Sequence, residues 1–188
     1  KNASDHLNYD DLFHETYDKS PDNVCLRLWE CSEYAIILGK SNNKELEVNL
    51  NSLDNINTSI IKRSSGGGTV VLGPGCLCYS LFIPINYNDN FTNITKTNNT
   101  IMSKLVDCLS QLASPITQKG HTDLCLNDKK FSGNAQRRKR HSILFHGTIL
   151  YNFDLDLITT LLAHPSKEPS YRNGRKHQDF LTNLPATK

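Results

Sequence analysis

The chain has 188 residues and a mass of 21.2 kDa, enough for one domain with a real core and too little for two ordinary ones. Lys and Arg number 21 against 19 Asp and Glu, a formal net charge of +2, which argues against a dedicated nucleic-acid binder with one strongly basic face. A hydrophobic fraction of 37% and a charged fraction of 21% exclude fibrous and disordered classes, and no apolar run approaches the roughly 18 residues that span a bilayer.

The stretch from Lys1 to Asp10 lacks the apolar core of a signal peptide. Tyr9 to Tyr17 reads as an N-terminal helix that stops before the turn signal Ser20-Pro21-Asp22. Val24, Leu26 and Leu28 alternate with Cys25, Arg27 and Trp29 at strand period. Tyr34 to Leu38 reads as a buried strand. Ser41 to Asn57 is polar and Asn-rich, a loop with a short helix at Glu45 to Leu50. Ile60-Ile61 opens a third strand, and Thr69 to Leu72 resumes β-branched character after three glycines. Gly73-Pro74-Gly75 is a turn before a strand from Cys78 to Ile83.

Asp89 to Thr100 reads as a polar linker. Ile101, Leu105, Cys108, Leu109 and Leu112 then fall at helical spacing, and Pro115 ends the segment. Leu124 to Phe131 and Ile143 to Tyr151 each read as one strand, with a small and then basic connection, Ser132 to His141, between them. Leu155 to Leu162 is helical, and Pro165 to Lys188 is a mostly irregular tail. The order predicts an α+β fold with a mostly antiparallel or mixed sheet.

The cysteines Cys25, Cys31, Cys76, Cys78, Cys108 and Cys125 include no C-x-x-C pair, which argues against a zinc site and for reduced thiols. Glycosylation sequons begin at Asn2, Asn57, Asn93 and Asn98, as expected by chance in an Asn-rich chain.

Two stretches carry the chemistry. Arg63-Ser64-Ser65-Gly66-Gly67-Gly68-Thr69 lies between strands. Consecutive glycines are costly in a sheet, and close backbone approach to a ligand is the usual return. Their N–H groups can cradle a carboxylate or phosphate, with Arg63 adding a fixed charge. The competing reading is a flexible hairpin tip. In the second stretch, Lys130 closes a strand before the small-residue turn Ser132-Gly133-Asn134-Ala135. His146-Gly147-Thr148 follows on the next strand. Asp123 is placed upstream on the strand of Lys130, sharing a face with Cys125. The basic run Arg137-Arg138-Lys139-Arg140-His141 reads as a solvated loop, a phosphate contact or a dock for an acidic partner.

Taken together, KRSSGGGTVV, TDLCLNDKKFSGNAQRR and LFHGTILYNFDL resemble the lipoate–protein ligase A family, within the biotin/lipoate ligase catalytic-domain superfamily. LRLWE, IILGKSNN and PSYRNGRKHQDFLTNL look like other parts of the family, so the resemblance runs from about Val24 to Leu184. It implies a catalytic fold with a central mixed sheet and flanking helices, related to class II aminoacyl-tRNA synthetases and filling residues 1–188 with no C-terminal accessory domain. The implied reaction activates lipoate or octanoate with ATP and Mg²⁺ to the acyl-adenylate. The acyl group then passes to a lysine of a lipoyl carrier domain, in a 2-oxoacid dehydrogenase complex or the glycine cleavage H protein. The resemblance makes Lys130 catalytic. It puts Arg63, Ser65, Gly66, Gly67, Gly68, Thr69, Ser132, Gly133, Asn134, Ala135, His146, Gly147 and Thr148 against substrate or nucleotide, and Asp123 near nucleotide and magnesium. It also implies a cytoplasmic or mitochondrial-matrix protein, and a separate accessory subunit as a further partner, with neither nucleic acid nor membrane as one. Two alternatives stay open: an ATP-independent octanoyl or lipoyl transferase, and a non-catalytic carrier-binding scaffold.

Overall fold

The alternation of apolar residues becomes a six-stranded antiparallel sheet. β1 (Cys25–Trp29) pairs with β5 (Cys76–Pro84), and β5 pairs with β9 (Ser142–Leu150). β9 pairs with β8 (Lys129–Arg138), β8 with β7 (Asp123–Leu126), and β7 with β6 (Ile116–Lys119). A second sheet has the order β3 (Ser59–Lys62), β2 (Ala35–Leu38) and β4 (Val70–Leu72). β2 runs parallel to β3 and antiparallel to β4, so the mixed pairing lies in the small sheet. The computed structural model describes residues 1–56 and 58–185; the Asn57 sequon and the end of the expected tail lie outside the described residues.

Two apolar clusters hold the layers. On one side of the large sheet, α3 (Ile94–Leu109) packs Ile101, Met102 and Leu109 against Phe131, Ile143 and Phe145. On the other, the small sheet and α4 (Leu155–Leu161) join Trp29, Cys76, Cys78 and Leu150. Ala3, on α1 (Ala3–Tyr17), belongs to this second cluster. No helix among the described residues is long and apolar enough to cross a membrane.

Several elements differ from the sequence expectation. α1 starts six residues earlier than predicted, because the Asn2 side chain accepts the Asp5 N–H at 2.9 Å and caps the helix. The expected linker from Asp89 to Thr100 is a short 3₁₀ turn, Asp89–Thr92, followed by the first two turns of α3. Asn93 caps that helix through Lys96 N–H, and buried Thr97 returns its hydroxyl to Asn93 O at 2.8 Å. The predicted helix at Glu45 to Leu50 is a single turn, α2 (Lys44–Glu47), followed by a 3₁₀ stretch, Leu50–Asn55.

The largest correction concerns the motif strand. Leu124 to Phe131 is not one strand but a hairpin that turns at Asn127 and Asp128, with φ of 49° and 62°. Asn and Asp tolerate left-handed backbone, which suits a two-residue hairpin turn. Ser132 to Arg138 is then strand rather than turn and basic loop. The tail also carries a one-turn helix, α5 (His177–Phe180).

Candidate functional site

The hairpin places Asp123 and Lys130 on neighbouring antiparallel strands, not on one strand. The register shifts between Leu124 and Cys125, so Leu124 faces Ser132 while Cys125 faces Lys130. Phe131 is therefore an extra residue on β8, a β-bulge. Lys130 and Gly133 are an odd number of residues apart and would normally point to opposite faces. The bulge puts both on the same face. Phe131 turns the other way, fully buried in the α3 cluster.

On that shared face the Lys130 Nζ lies 2.8 Å from Asp123 Oδ1. Gly133 provides the room, since a Cβ there would come 2.9 Å from Nζ. The Tyr171 hydroxyl donates to Asp123 Oδ2 at 2.6 Å. Both carboxylate oxygens are thus engaged by protein donors. Among the described residues no group of three or more His, Cys, Asp or Glu gathers to hold a metal ion. Each carboxylate oxygen keeps a further lone pair, which leaves open the magnesium role that the family resemblance implied for Asp123.

The glycine stretch is an ordered loop built around Arg63. The guanidinium is buried and donates to Gly66 O at 2.6 Å, Gly68 O at 2.8 Å and Ile37 O at 3.3 Å. Its Nε donates to Ser65 Oγ at 3.2 Å. Arg63 therefore shapes the loop from beneath, rather than offering its fork to an anion. Burial lowers its pKa to about 10, so it stays a cation at neutral pH. Gly67 sits at φ +92°, and a Cβ there would lie 2.8 Å from Arg63 Nη2, so this position needs glycine.

Ser65 Oγ is also 2.7 Å from His146 Nε2. Arginine can only donate, so Ser65 accepts from Arg63 while its oxygen also meets the imidazole of His146. His146 is held neutral, its pKa lowered to about 3 by desolvation first and by the Arg63 charge second.

Asn134 has a different task from the predicted one. Its amide donates to Thr122 O at 2.8 Å and to Ser132 Oγ at 3.1 Å, and its oxygen accepts from Tyr79 at 2.6 Å. The Thr122 hydroxyl returns to Asn134 O at 2.6 Å. The side chain therefore ties the loop before β7 to β8. Gly147 is required beside it, because a Cβ would overlap Asn134 Oδ1 at 1.7 Å.

These elements surround a cavity of about 290 Å³. Arg63, Gly67, Gly68, Thr69, Asp123, Lys130, Gly133, Asn134, Ala135, His146, Gly147 and Thr148 line it. Gly66, Ser65 and Ser132 do not. Ser65 and Ser132 are buried supports, and Gly66 lies at the exposed crest of the loop. The Thr69 hydroxyl is buried without a hydrogen-bond partner in the protein. Trp29, Ile37, Leu72, Cys78 and Leu162 supply an apolar wall. The cavity thus combines an apolar region with a cation, a neutral donor and a backbone loop, the requirements of a short acyl chain ending in an oxygen acid.

The basic run is not a single patch. Arg137 reaches Asp11 at 2.8 Å, Lys139 pairs with Glu15, and Arg138 donates to Thr97 Oγ1 at 3.3 Å. Strand alternation sends these side chains to different helices, and Arg140 and His141 are the exposed members. All six cysteines are free. Cys125 is fully buried, burial raises its thiol pKa, and it contacts Tyr171 Oη at 3.9 Å.

Sequence reasoning missed Tyr171, Tyr79, Arg172 and His177 as site residues, though all four line the cavity or hold its motif residues. The stretch PSYRNGRKHQDFLTNL was the available signal for Tyr171, Arg172 and His177. Nothing local marks Tyr79 as the partner of Asn134.

Comparison with known proteins places these observations. The family model for the lipoyl protein ligase A/B catalytic domain matches residues 2–186. A probable lipoate-protein ligase A of Mycoplasma genitalium is 32% identical over 127 residues, 68% of this chain and 37% of that protein. An inactive lipoate–protein ligase 2 of Plasmodium falciparum is 27% identical over 201 residues, 90% of this chain and 52% of that protein. The chain thus spans between about a third and a half of these curated relatives. A chain from the structural analysis of a bi-partite lipoate protein ligase and its E2 lipoyl domain from Thermoplasma acidophilum shares the fold. Its TM-score is 0.80 at 23% identity, over 95% of this chain and 69% of that one.

Proposed function

The chain belongs to the lipoyl protein ligase A/B catalytic-domain family, and on that premise we propose that it is a lipoate–protein ligase catalytic unit. It activates lipoate or octanoate with ATP and transfers the acyl group to a lysine of a lipoyl carrier domain. Carrier domains of 2-oxoacid dehydrogenase complexes and the glycine cleavage H protein are the acceptors of this reading.

The observation that carries it is the Lys130 ammonium, fixed by Asp123 above Gly133 at the wall of a part-apolar cavity. A carboxylate oxygen must attack the α-phosphate in the first step. Lys130 is a point cation that holds the acid and phosphate oxygens together against their mutual repulsion. In the second step a lysine amine attacks the acyl carbon and charge develops on the carbonyl oxygen. The same ammonium stabilises that oxygen. Neutral His146 and Thr69 also line the cavity.

Transfer through a cysteine thioester is the weaker reading. Cys125 is the cysteine nearest Lys130 in sequence, and it is buried with its thiol kept protonated. Free thiols suit a reducing compartment, the cytoplasm or the mitochondrial matrix.

The test is acyl transfer to a lipoyl domain. Free lipoate plus ATP–Mg²⁺ is compared with octanoyl-carrier protein as donor, in each case with and without an accessory polypeptide. Product from the first donor supports the ligase. Product from the second alone overturns it in favour of the transferase, and product from neither favours a scaffold.

A further inference from the structure

Lysine side chains are long, and Lys130 must hold one position through both chemical steps. Its ammonium has three donors, and one of them is spent on Asp123 Oδ1. A carboxylate on a strand can itself rotate about its last torsion, so this pairing alone leaves the ammonium loosely placed. The second carboxylate oxygen is held by Tyr171, and Tyr171 is anchored more firmly than either partner.

The Tyr171 ring lies 5.4 Å from that of Phe180, which is buried. The guanidinium groups of Arg172 and Arg175 cover the Phe180 ring at 4.7 Å and 5.1 Å. Arg175 in turn donates to Tyr171 O at 3.0 Å and Asp128 O at 3.1 Å, which ties the segment to the β7–β8 turn. Gly120 leaves space for the tyrosine ring, since a Cβ there would come 3.2 Å from it. The Cys125 thiol approaches the phenol oxygen at 3.9 Å, an arrangement in which the phenol proton points to Asp123. Thr182 N–H donates to Lys130 O at 3.0 Å, so the same C-terminal segment also pins the backbone that carries the lysine.

We propose that Tyr171 is a positioning residue for Lys130: its hydroxyl fixes the Asp123 carboxylate, and that carboxylate fixes the ammonium. The consequence for turnover rests on the ligase reading, but the placement of the ammonium does not. Tyr171 is not among the residues that line the cavity. Its whole effect passes through Asp123, which makes the two residues a dependent pair.

The experiment measures the reactivity of Lys130 directly. Wild type, Tyr171→Phe, Asp123→Asn and the double variant are treated with formaldehyde and cyanoborohydride, and methylation of Lys130 is followed by mass spectrometry. No acyl substrate or nucleotide is present, so this result is independent of the function assigned above. Loss of a hydrogen bond to a charged group should free the ammonium and speed labelling by about tenfold in Tyr171→Phe. Asp123→Asn should do at least as much. Because Tyr171 acts only through Asp123, the double variant should label no faster than Asp123→Asn alone. In the ligase assay Tyr171→Phe should lower kcat and leave KM for the acid unchanged. Labelling of Tyr171→Phe at the wild-type rate overturns the proposal, and so do additive effects in the double variant. If labelling behaves as expected while no variant or wild type ligates, the positioning role stands and the ligase reading fails.

Discussion

Gly133 and Lys130 share one volume: a methyl group on Gly133 would lie 2.9 Å from the lysine Nζ. The obstructing atom is the end of a flexible chain, so Gly133→Ala can be accommodated by moving the ammonium. We expect the variant to keep its melting temperature while acyl transfer falls about 10²-fold, the usual cost of a displaced catalytic group. A parallel assay of both quantities checks this, and full activity would show that the ammonium position is unimportant.

Lys130→Ala should lower transfer by about 10²–10³-fold in a folded protein, as for loss of one donor to a developing oxyanion. Lys130→Arg should fail as well. A planar guanidinium cannot occupy the small space above Gly133 and still face Asp123. Single-turnover rates for both variants, with circular dichroism to show folding, decide the point.

Gly67→Val should disrupt the ligand-facing loop. Gly67 has φ +92°, and a side chain there meets the Arg63 guanidinium that holds the carbonyls of Gly66 and Gly68. Binding of an acyl-adenylate analogue, measured by calorimetry, should weaken more than the fold does. Unchanged affinity would mean the loop does not contact the ligand.

Acid should destabilise the protein through His14 and His146. Both rings are neutral in the fold, with pKa values lowered to about 4 and about 3 chiefly by desolvation. The unfolded chain binds a proton at each histidine below about pH 6.5, while the native state does not. Stability is therefore unpenalised above about pH 6.5 and falls as pH drops toward 4. His14 is fully buried with neither ring nitrogen hydrogen-bonded, and its share between pH 7 and pH 5 is about 2 kcal/mol. Denaturant melts at the two pH values, on wild type and His14→Leu, should show a smaller drop in the variant. Nitrogen NMR should find the His146 ring neutral at pH 5.

Arg140→Ser should slow carrier-limited transfer if the run guides an acidic partner, and the effect should fade with salt because the Debye length falls to about 3 Å at 1 M. Arg137→Ser is the contrasting variant. Its partners Asp11 and Glu15 are partly exposed, so its stability cost should stay within about 1 kcal/mol. Rates at limiting carrier, at low and high salt, distinguish the two.

The strand character of β1, β5 and β9 and the glycine loop were legible in the sequence, because apolar runs and the conformational cost of consecutive glycines need no distant partner to be recognised. The faces were not: Leu26 and Leu28 of β1 are exposed, and Trp29 is buried. The sequence also placed Lys130, Asp123, His146 and Thr148 in one site through the family resemblance, without their geometry.

Tertiary structure decided the rest, because each remaining feature depends on what lies across a strand or a layer. The bulge at Phe131 puts Lys130 and Gly133 on one face, although their spacing predicts opposite faces. Arg63 looked like an anion ligand, but its donors fall within reach of Gly66, Gly68 and Ile37 carbonyls once β2 and the loop meet. Asp123 is held on one side by Lys130 and on the other by Tyr171, 48 residues later in the chain. The polar stretch before Ile101 became helix because Asn93 capped it and the Gln136 side chain, 42 residues after Ile94, bonded to its carbonyl. Local chemistry chose the residues of this site, and the pairing of distant strands and the C-terminal segment gave each of them its direction.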